Sequence, residues 1–301
     1  MESDLQKRYN GFGMTKEIRY NEAKSRLKRS KCQKVVIVLG SPRSGTSLTA
    51  GLLTILGVDM GKVRPPDFEN PTGYYEDVDF SRLIAEIFKA ADPQANGFNL
   101  PSRSLLVKQY QNFASKVQSL IANRTATTKA DVWGWKVTST IFLIDLFLPY
   151  LVNPHFVVVL RNPLDIAKSM VKYTERKGYR KISILDALMI TNRYYDSIFS
   201  FLKCNPGLPW TAISYEDLLI NPQQQARRLA AFLGLKISVS QLDEVKGLVN
   251  PPIERQKMIW RVKARFSRLI AYVVKGIRHP KRAAYFACTI VQTHVRSRRK
   301  D

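Results

Sequence analysis

The sequence predicts an α/β protein, a three-layer sandwich in which helices cover both faces of a central parallel sheet. Two observations point there. Apolar runs rich in Val and Ile recur along the chain, as in Lys34-Val-Val-Ile-Val-Leu39 and Phe156-Val-Val-Val-Leu160, and continuous rather than alternating runs suit strands buried on both faces. Longer stretches with helical patterning separate them, and that alternation implies parallel strands joined by helical crossovers. A chain of 301 residues, 45% hydrophobic and 24% charged, can bury a sizeable core.

Residues 1–30 read as a basic, partly helical extension broken at Gly11-Phe-Gly13. The α/β domain is expected over 31–250. Its first strand, near 34–39, runs into Gly40-Ser41-Pro42-Arg43-Ser44-Gly45-Thr46-Ser47 and then a helix near 46–56. Gly40-x-x-x-x-Gly45 is the spacing of a P-loop, where successive backbone N–H groups and a helix N-terminus converge on an anion that glycine lets them approach. Thr46 stands where a nucleoside-triphosphate loop carries lysine, so the cation that would reach the β/γ-phosphates is missing and Arg43 is the only cation of the loop.

The segment Phe68-Glu69-Asn-Pro-Thr-Gly-Tyr-Tyr-Glu76-Asp77 precedes a helix near 78–91. Its acids Glu76 and Asp77, with Asp79, suit a helix N-terminus by favouring the macrodipole. A helix near 103–122 comes next, and then a strand near 132–137. That strand carries Trp133 and Trp135 as core or crevice wall and places Lys136 at its end. A helix near 139–150 leads to the strand near 155–160. Asn162 can cap, and Pro163 can begin, a helix near 163–174, which leaves Arg161 at the strand's carboxyl end. Ser169 lies about two helical turns further on. A guanidinium and a hydroxyl so held can grip one phosphate, the arginine supplying paired charged donors.

A helix near 182–203 and a strand near 209–213 follow, then Tyr215-Glu216-Asp217-Leu218, Asn221-Pro222 and a helix near 222–233. Tyr215 and Glu216 fit a corner that ties strand to helix as well as a ligand contact. Ligands of parallel sheets lie beyond the carboxyl ends of the strands, so the Gly40–Thr46 loop, Lys136 and Arg161 are expected to share one crevice.

Pro42-Arg43-Ser44-Gly45-Thr46, together with the Arg161/Ser169 pair and the Tyr215-Glu216-Asp217-Leu218 turn, resembles the sulfotransferases that use 3′-phosphoadenosine 5′-phosphosulfate (PAPS). The resemblance spans residues 34 to 250 and implies a P-loop NTPase-like fold and a sulfuryl transfer that releases adenosine 3′,5′-bisphosphate. It places Pro42, Arg43, Ser44, Gly45, Thr46 and Ser47 around the 5′-phosphosulfate, Arg161 and Ser169 on the 3′-phosphate, and Tyr215 near the adenine. Neither a P-loop lysine nor a metal is then expected.

The transfer needs a general base and donors where charge develops on the leaving phosphate. His155 lies at the start of its strand and His279 and His294 in the tail, so a carboxylate is expected as the base. The Asn-Pro-Thr-Gly-Tyr-Tyr-Glu76 stretch resembles bacterial-type members in which such an acid serves. Glu76 is the first choice and Glu69 the alternative. Arg43 is assigned to the leaving group. Lys136 is followed by Val137 and Thr138, which depart from the family pattern, so its place at the sulfuryl group or acceptor is left open.

The formal charge of +24 exceeds what an anionic cofactor requires. Much of it lies in the tail, 251–301, where Ile259, Val262, Phe266, Leu269, Ile270, Val273 and Ile277 share a helical face opposite Arg261, Arg265, Arg268 and Lys275. Such a helix suits an anionic membrane surface, or it packs on the core with a solvated charged face. No basic-aromatic interleaving points to nucleic acid. Cys32, Cys204 and Cys288 are too few and too scattered for a disulfide frame or metal site. With no apolar leader or long apolar run, the sequence implies a cytoplasmic protein, peripheral at the inner membrane face if the tail docks there. The acceptor, hydroxyl or amine, glycan, lipid-linked or small, is not legible. The alternatives are a P-loop nucleotide kinase or NTPase, and a non-catalytic basic membrane- or nucleic-acid-binding protein.

Overall fold

The computed structural model describes residues 33–65, 73–178 and 181–249. The chain divides into two compact units, Met1–Ile198 with Gly207–Asn250 and Phe199–Pro206 with Pro251–Asp301. The sheet and the candidate site belong to the first. In the second, the described residues 199–206 are a helix end and a turn. The expected extension 1–30, the tail helix and Glu69 lie outside the described residues.

The sheet has four strands, β1 (Lys34–Leu39), β2 (Val132–Trp135), β3 (Pro154–Leu160) and β4 (Trp210–Ser214), in the order β2-β1-β3-β4. All pairs are parallel, with Val36 opposite Gly134 and His155, and Val158 opposite Ala212. The helices are α1 (Thr46–Ile55), α2 (Val78–Ala91), α3 (Arg103–Thr127), α4 (Ile144–Phe147), α5 (Pro163–Arg176), α6 (Ile184–Cys204), α7 (Tyr215–Ile220), α8 (Pro222–Leu233) and α9 (Val239–Leu248).

Both faces of the sheet are covered, which is why its strands read as unbroken apolar runs. Val36, Val38, Val157, Val159 and Ile213 pack with Leu53 and Ala50 of α1, Leu229 and Leu233 of α8 and Val245 of α9. On the other face Trp135 stacks on Phe80 of α2, ring centroids 4.1 Å apart, and meets Phe147 of α4. Each such fully buried side chain contributes about 1.5–3 kcal/mol by leaving water. Among the described residues no helix is long and apolar enough to cross a membrane.

Local signals fix the helix starts. Asp77 caps α2 by accepting from the amides of Asp79 and Phe80. Asn162 caps α5 through the Leu164 amide, with Pro163 in its first turn. The expected helix over 139–150 is instead broken. It runs as 3-10 turns at Thr138–Leu143 and Leu148–Tyr150 around the single turn of α4, consistent with Pro149 bringing no N–H to the ladder. Two short helices were not expected from sequence, α7 and α9. Ser214 caps the first, and Ser238 with Gln241 forms a capping box on the second.

From β1 the chain moves outward to β2 and then returns past β1 to β3. The loops leaving β1 and β3 therefore diverge, and a crevice opens at their carboxyl ends, where parallel sheets hold their ligands.

Candidate active site

The β1–α1 loop is one wall of that crevice. Arg43 and Gly45 both take positive φ, 69° and 100°, a left-handed pair that only glycine adopts freely. A Cβ on Gly45 would stand 2.2 Å from the Tyr215 ring, so this glycine lets the loop close onto the aromatic side chain. Gly45 is also the N-cap of α1 and offers no side-chain cap. The first-turn amides of α1 are thus left for an external acceptor.

Arg161 follows β3 and faces this loop. Its Nη1 donates to the Arg43 carbonyl at 2.9 Å, and its guanidinium lies over the Tyr215 ring, 4.3 Å from the centroid. The Nε of Arg161 is buried without a hydrogen-bond partner. Arg43 donates from Nε to Ser169 Oγ at 3.2 Å and lies over Tyr173 at 5.1 Å. The structure thus brings Arg43, Arg161, Ser169 and Tyr215 together, with Arg43 standing between the pair expected to share a phosphate. Burial lowers the Arg43 pKa, and Arg161 and Arg176 lower it further. Among the described residues no carboxylate forms an ion pair with Arg43, Arg161 or Arg176.

Lys136, just past β2, differs. Its Nζ stands 2.6 Å from Glu76 Oε1, the lysine side chain 2% exposed and the glutamate 32%. Burial lowers the lysine pKa and Glu76 opposes that shift, while Arg43 is near enough to lower it further. Of the two partners only Glu76 is open to an incoming group. Tyr75, immediately before it, has φ 51°, and its ring fills the space that a Cβ on Gly51 would occupy, 2.9 Å away. That contact fixes the turn that aims Glu76 at Lys136. Asp77 is 1% exposed and spent on structure, since it caps α2 and accepts from the Lys62 amide.

Glu216 closes the corner between β3 and β4. It accepts from the Asn162 amide at 3.1 Å and from Ser214 Oγ at 3.2 Å, and burial raises its pKa. Tyr215 therefore combines a corner position with a face turned to the loop. His155 is buried at the amino end of β3, its Nδ1 3.0 Å from the Asn153 carbonyl, and burial lowers its pKa. Tyr173 and Arg176 were not singled out from sequence. Their spacing of four and seven residues from Ser169 was the available signal.

Among the described residues no group of His, Cys, Asp and Glu side chains is placed to hold a metal ion. The arrangement provides a cationic crevice with free helix-terminal amides, beside a partly exposed carboxylate held by a buried lysine.

A family model described as the sulfotransferase family matches residues 35–238. No curated protein matches the sequence. Among solved structures, the chain is similar to a sulfotransferase from Mycobacterium avium, at 13% identity over 76% of this chain and 70% of that one, with a TM-score of 0.47. It is similar to a sulfotransferase from Mycobacterium tuberculosis at 16% identity over 87% of this chain and 89% of that one, TM-score 0.42. A mouse sulfotransferase complexed with PAP is 13% identical over 73% of this chain and 66% of that one, TM-score 0.42.

Proposed function

Because the chain belongs to the sulfotransferase family, we propose that it takes a sulfuryl group from PAPS, passes it to a hydroxyl or amine of an acceptor, and releases adenosine 3′,5′-bisphosphate. The observation that carries the donor assignment is the crevice between the β1 and β3 loops, where Arg43 bonds Ser169, Arg161 bonds the Arg43 carbonyl, and among the described residues neither guanidinium forms an ion pair with a carboxylate. The orphaned Arg161 Nε and the uncapped start of α1 fit a ligand with phosphate at two ends. Thr46 in place of the P-loop lysine speaks against a nucleoside triphosphate.

In this reading the amides of Ser44 to Ser47 and the Thr46 hydroxyl hold the 5′ side, Arg161 and Ser169 hold the 3′-phosphate, and Tyr215 lies beside the adenine. The acceptor oxygen or nitrogen attacks sulfur in line while the bond from sulfur to the 5′-phosphate oxygen breaks. The acceptor's proton goes to Glu76, and the electron pair stays on the leaving phosphate, where Arg43 meets it. Protonation of Glu76 removes the charge that holds Lys136, which frees that ammonium for the same leaving phosphate. No metal takes part. A cytoplasmic location, peripheral at the inner membrane face through the 258–277 segment, fits the tail's basic amphipathic sequence.

Calorimetric titration with adenosine 3′,5′-bisphosphate, 5′-AMP and Mg-ATP tests the donor. The bisphosphate should bind tightest, and Arg161→Ala should cost it about 1.5–3 kcal/mol, roughly ten- to hundredfold in affinity. Equal binding of AMP, or tighter binding of Mg-ATP, contradicts the assignment.

A further inference from the structure

The face of α5 that carries Ser169 also carries Tyr173 and Arg176. These positions are four and seven residues apart, the spacing that aligns side chains along one side of a helix. Both earlier members of the row meet Arg43, Ser169 through its hydroxyl and Tyr173 through its ring. Helical side chains lean toward the N-terminus, which for Arg176, in the last turn of α5, is the direction of Tyr173. Its charge is felt at Arg43, for Arg176 stands with Arg161 among the groups that oppose ionisation of Arg43. Glu216 acts on Arg161, but among the described residues none of the three guanidinium groups forms an ion pair with a carboxylate. Like charges so placed repel one another, and an anion between them relieves that repulsion.

We propose that Arg176 is a third guanidinium of the donor site, a specificity-determining residue that contacts the phosphate held by Arg161 and Ser169. The inference rests on the donor reading above and adds a residue to it. Arg176 is exposed and ends its helix, so its ordinary role would be to favour the negative end of the helix dipole. That role would leave nucleotide binding unchanged.

The test titrates Arg176→Ala and Arg176→Lys with adenosine 3′,5′-bisphosphate and with 5′-AMP, beside melting curves. Arg176→Ala should weaken the bisphosphate about tenfold and leave AMP unchanged. Arg176→Lys keeps the charge at the helix end but loses the planar fork, so it should bind the bisphosphate severalfold more weakly without a change in melting. If the alanine variant does not fold, the lysine variant decides. Unchanged bisphosphate affinity, or an equal loss for both nucleotides, overturns the role of Arg176 while wild-type preference for the bisphosphate keeps the donor reading. If the wild-type protein does not discriminate between the nucleotides, the donor reading falls and Arg176 falls with it.

Discussion

Arg161 and Lys136 both stand beyond the carboxyl ends of strands, and they differ in whether a carboxylate forms an ion pair with them. Lys136 pairs with Glu76 at 2.6 Å. Arg161 instead donates to a backbone carbonyl and lies over an aromatic face, with the Glu216 carboxylate near but not in an ion pair with it, and its Nε is left without a hydrogen-bond partner. Sequence spacing put both at the crevice but did not reveal the pair, because Glu76 and Lys136 come from elements far apart in the chain. If Glu76 is the base, Glu76→Gln keeps its shape and removes its basicity. Turnover should fall about 10²- to 10⁴-fold with nucleotide affinity nearly intact. Normal turnover in Glu76→Gln with loss in Glu69→Gln would move the base to the other acid, and silence of both would end the carboxylate reading.

His155 tests β3 as an element. The strand reads as a continuous apolar run, and its one histidine sits at the amino end, buried and with its pKa lowered by that burial. Between the ordinary value of 6.5 and the lower folded value, the unfolded chain binds more protons than the folded one. Stability therefore rises with pH across that window and is lost as pH falls through it. Melting curves from about pH 7 to about pH 5.5 should show a steeper acid loss in the wild type than in His155→Gln, and parallel losses would contradict a buried neutral imidazole.

The strands were the most legible elements. The run at 34–39 is β1 itself, and the expected strand near 155–160 gains only Pro154. Burial on both faces leaves a sequence mark that helical patterns do not match. The 139–150 stretch is apolar on several sides, so its period did not disclose the 3-10 turns around Pro149. At α7, six residues are too few for a period to appear. The strand, glycine loop and helix start between Lys34 and Ile55 were legible for a similar reason, since all three lie within one short segment. The row of Ser169, Tyr173 and Arg176 gained meaning only once Arg43 was seen to lie against it.

The molecule carries +24 of formal charge, far more than one donor site uses. The basic amphipathic segment 258–277 lies outside the described residues, and we propose that it docks the protein on anionic membrane. Vesicles containing anionic lipid should then sediment the intact protein and release it as salt rises, each basic residue near the surface contributing about 1 kcal/mol. Charge reversal at Arg261, Arg265 and Arg268 should abolish sedimentation without lowering the melting temperature. No sedimentation at low salt, with melting lowered by substitution of Phe266 or Ile270, would place the segment in a core.

The central claim is that the crevice between the β1 and β3 loops holds a nucleotide by its two phosphates. A crystal structure with adenosine 3′,5′-bisphosphate tests it most directly. The account predicts the 5′-phosphate on the amides of Ser44 to Ser47, the 3′-phosphate on Arg161 and Ser169, with Ser169 Oγ turned from Arg43 to the ligand, and the adenine beside Tyr215. A nucleotide bound elsewhere, or bound here with its 3′-phosphate away from Arg161, would contradict it.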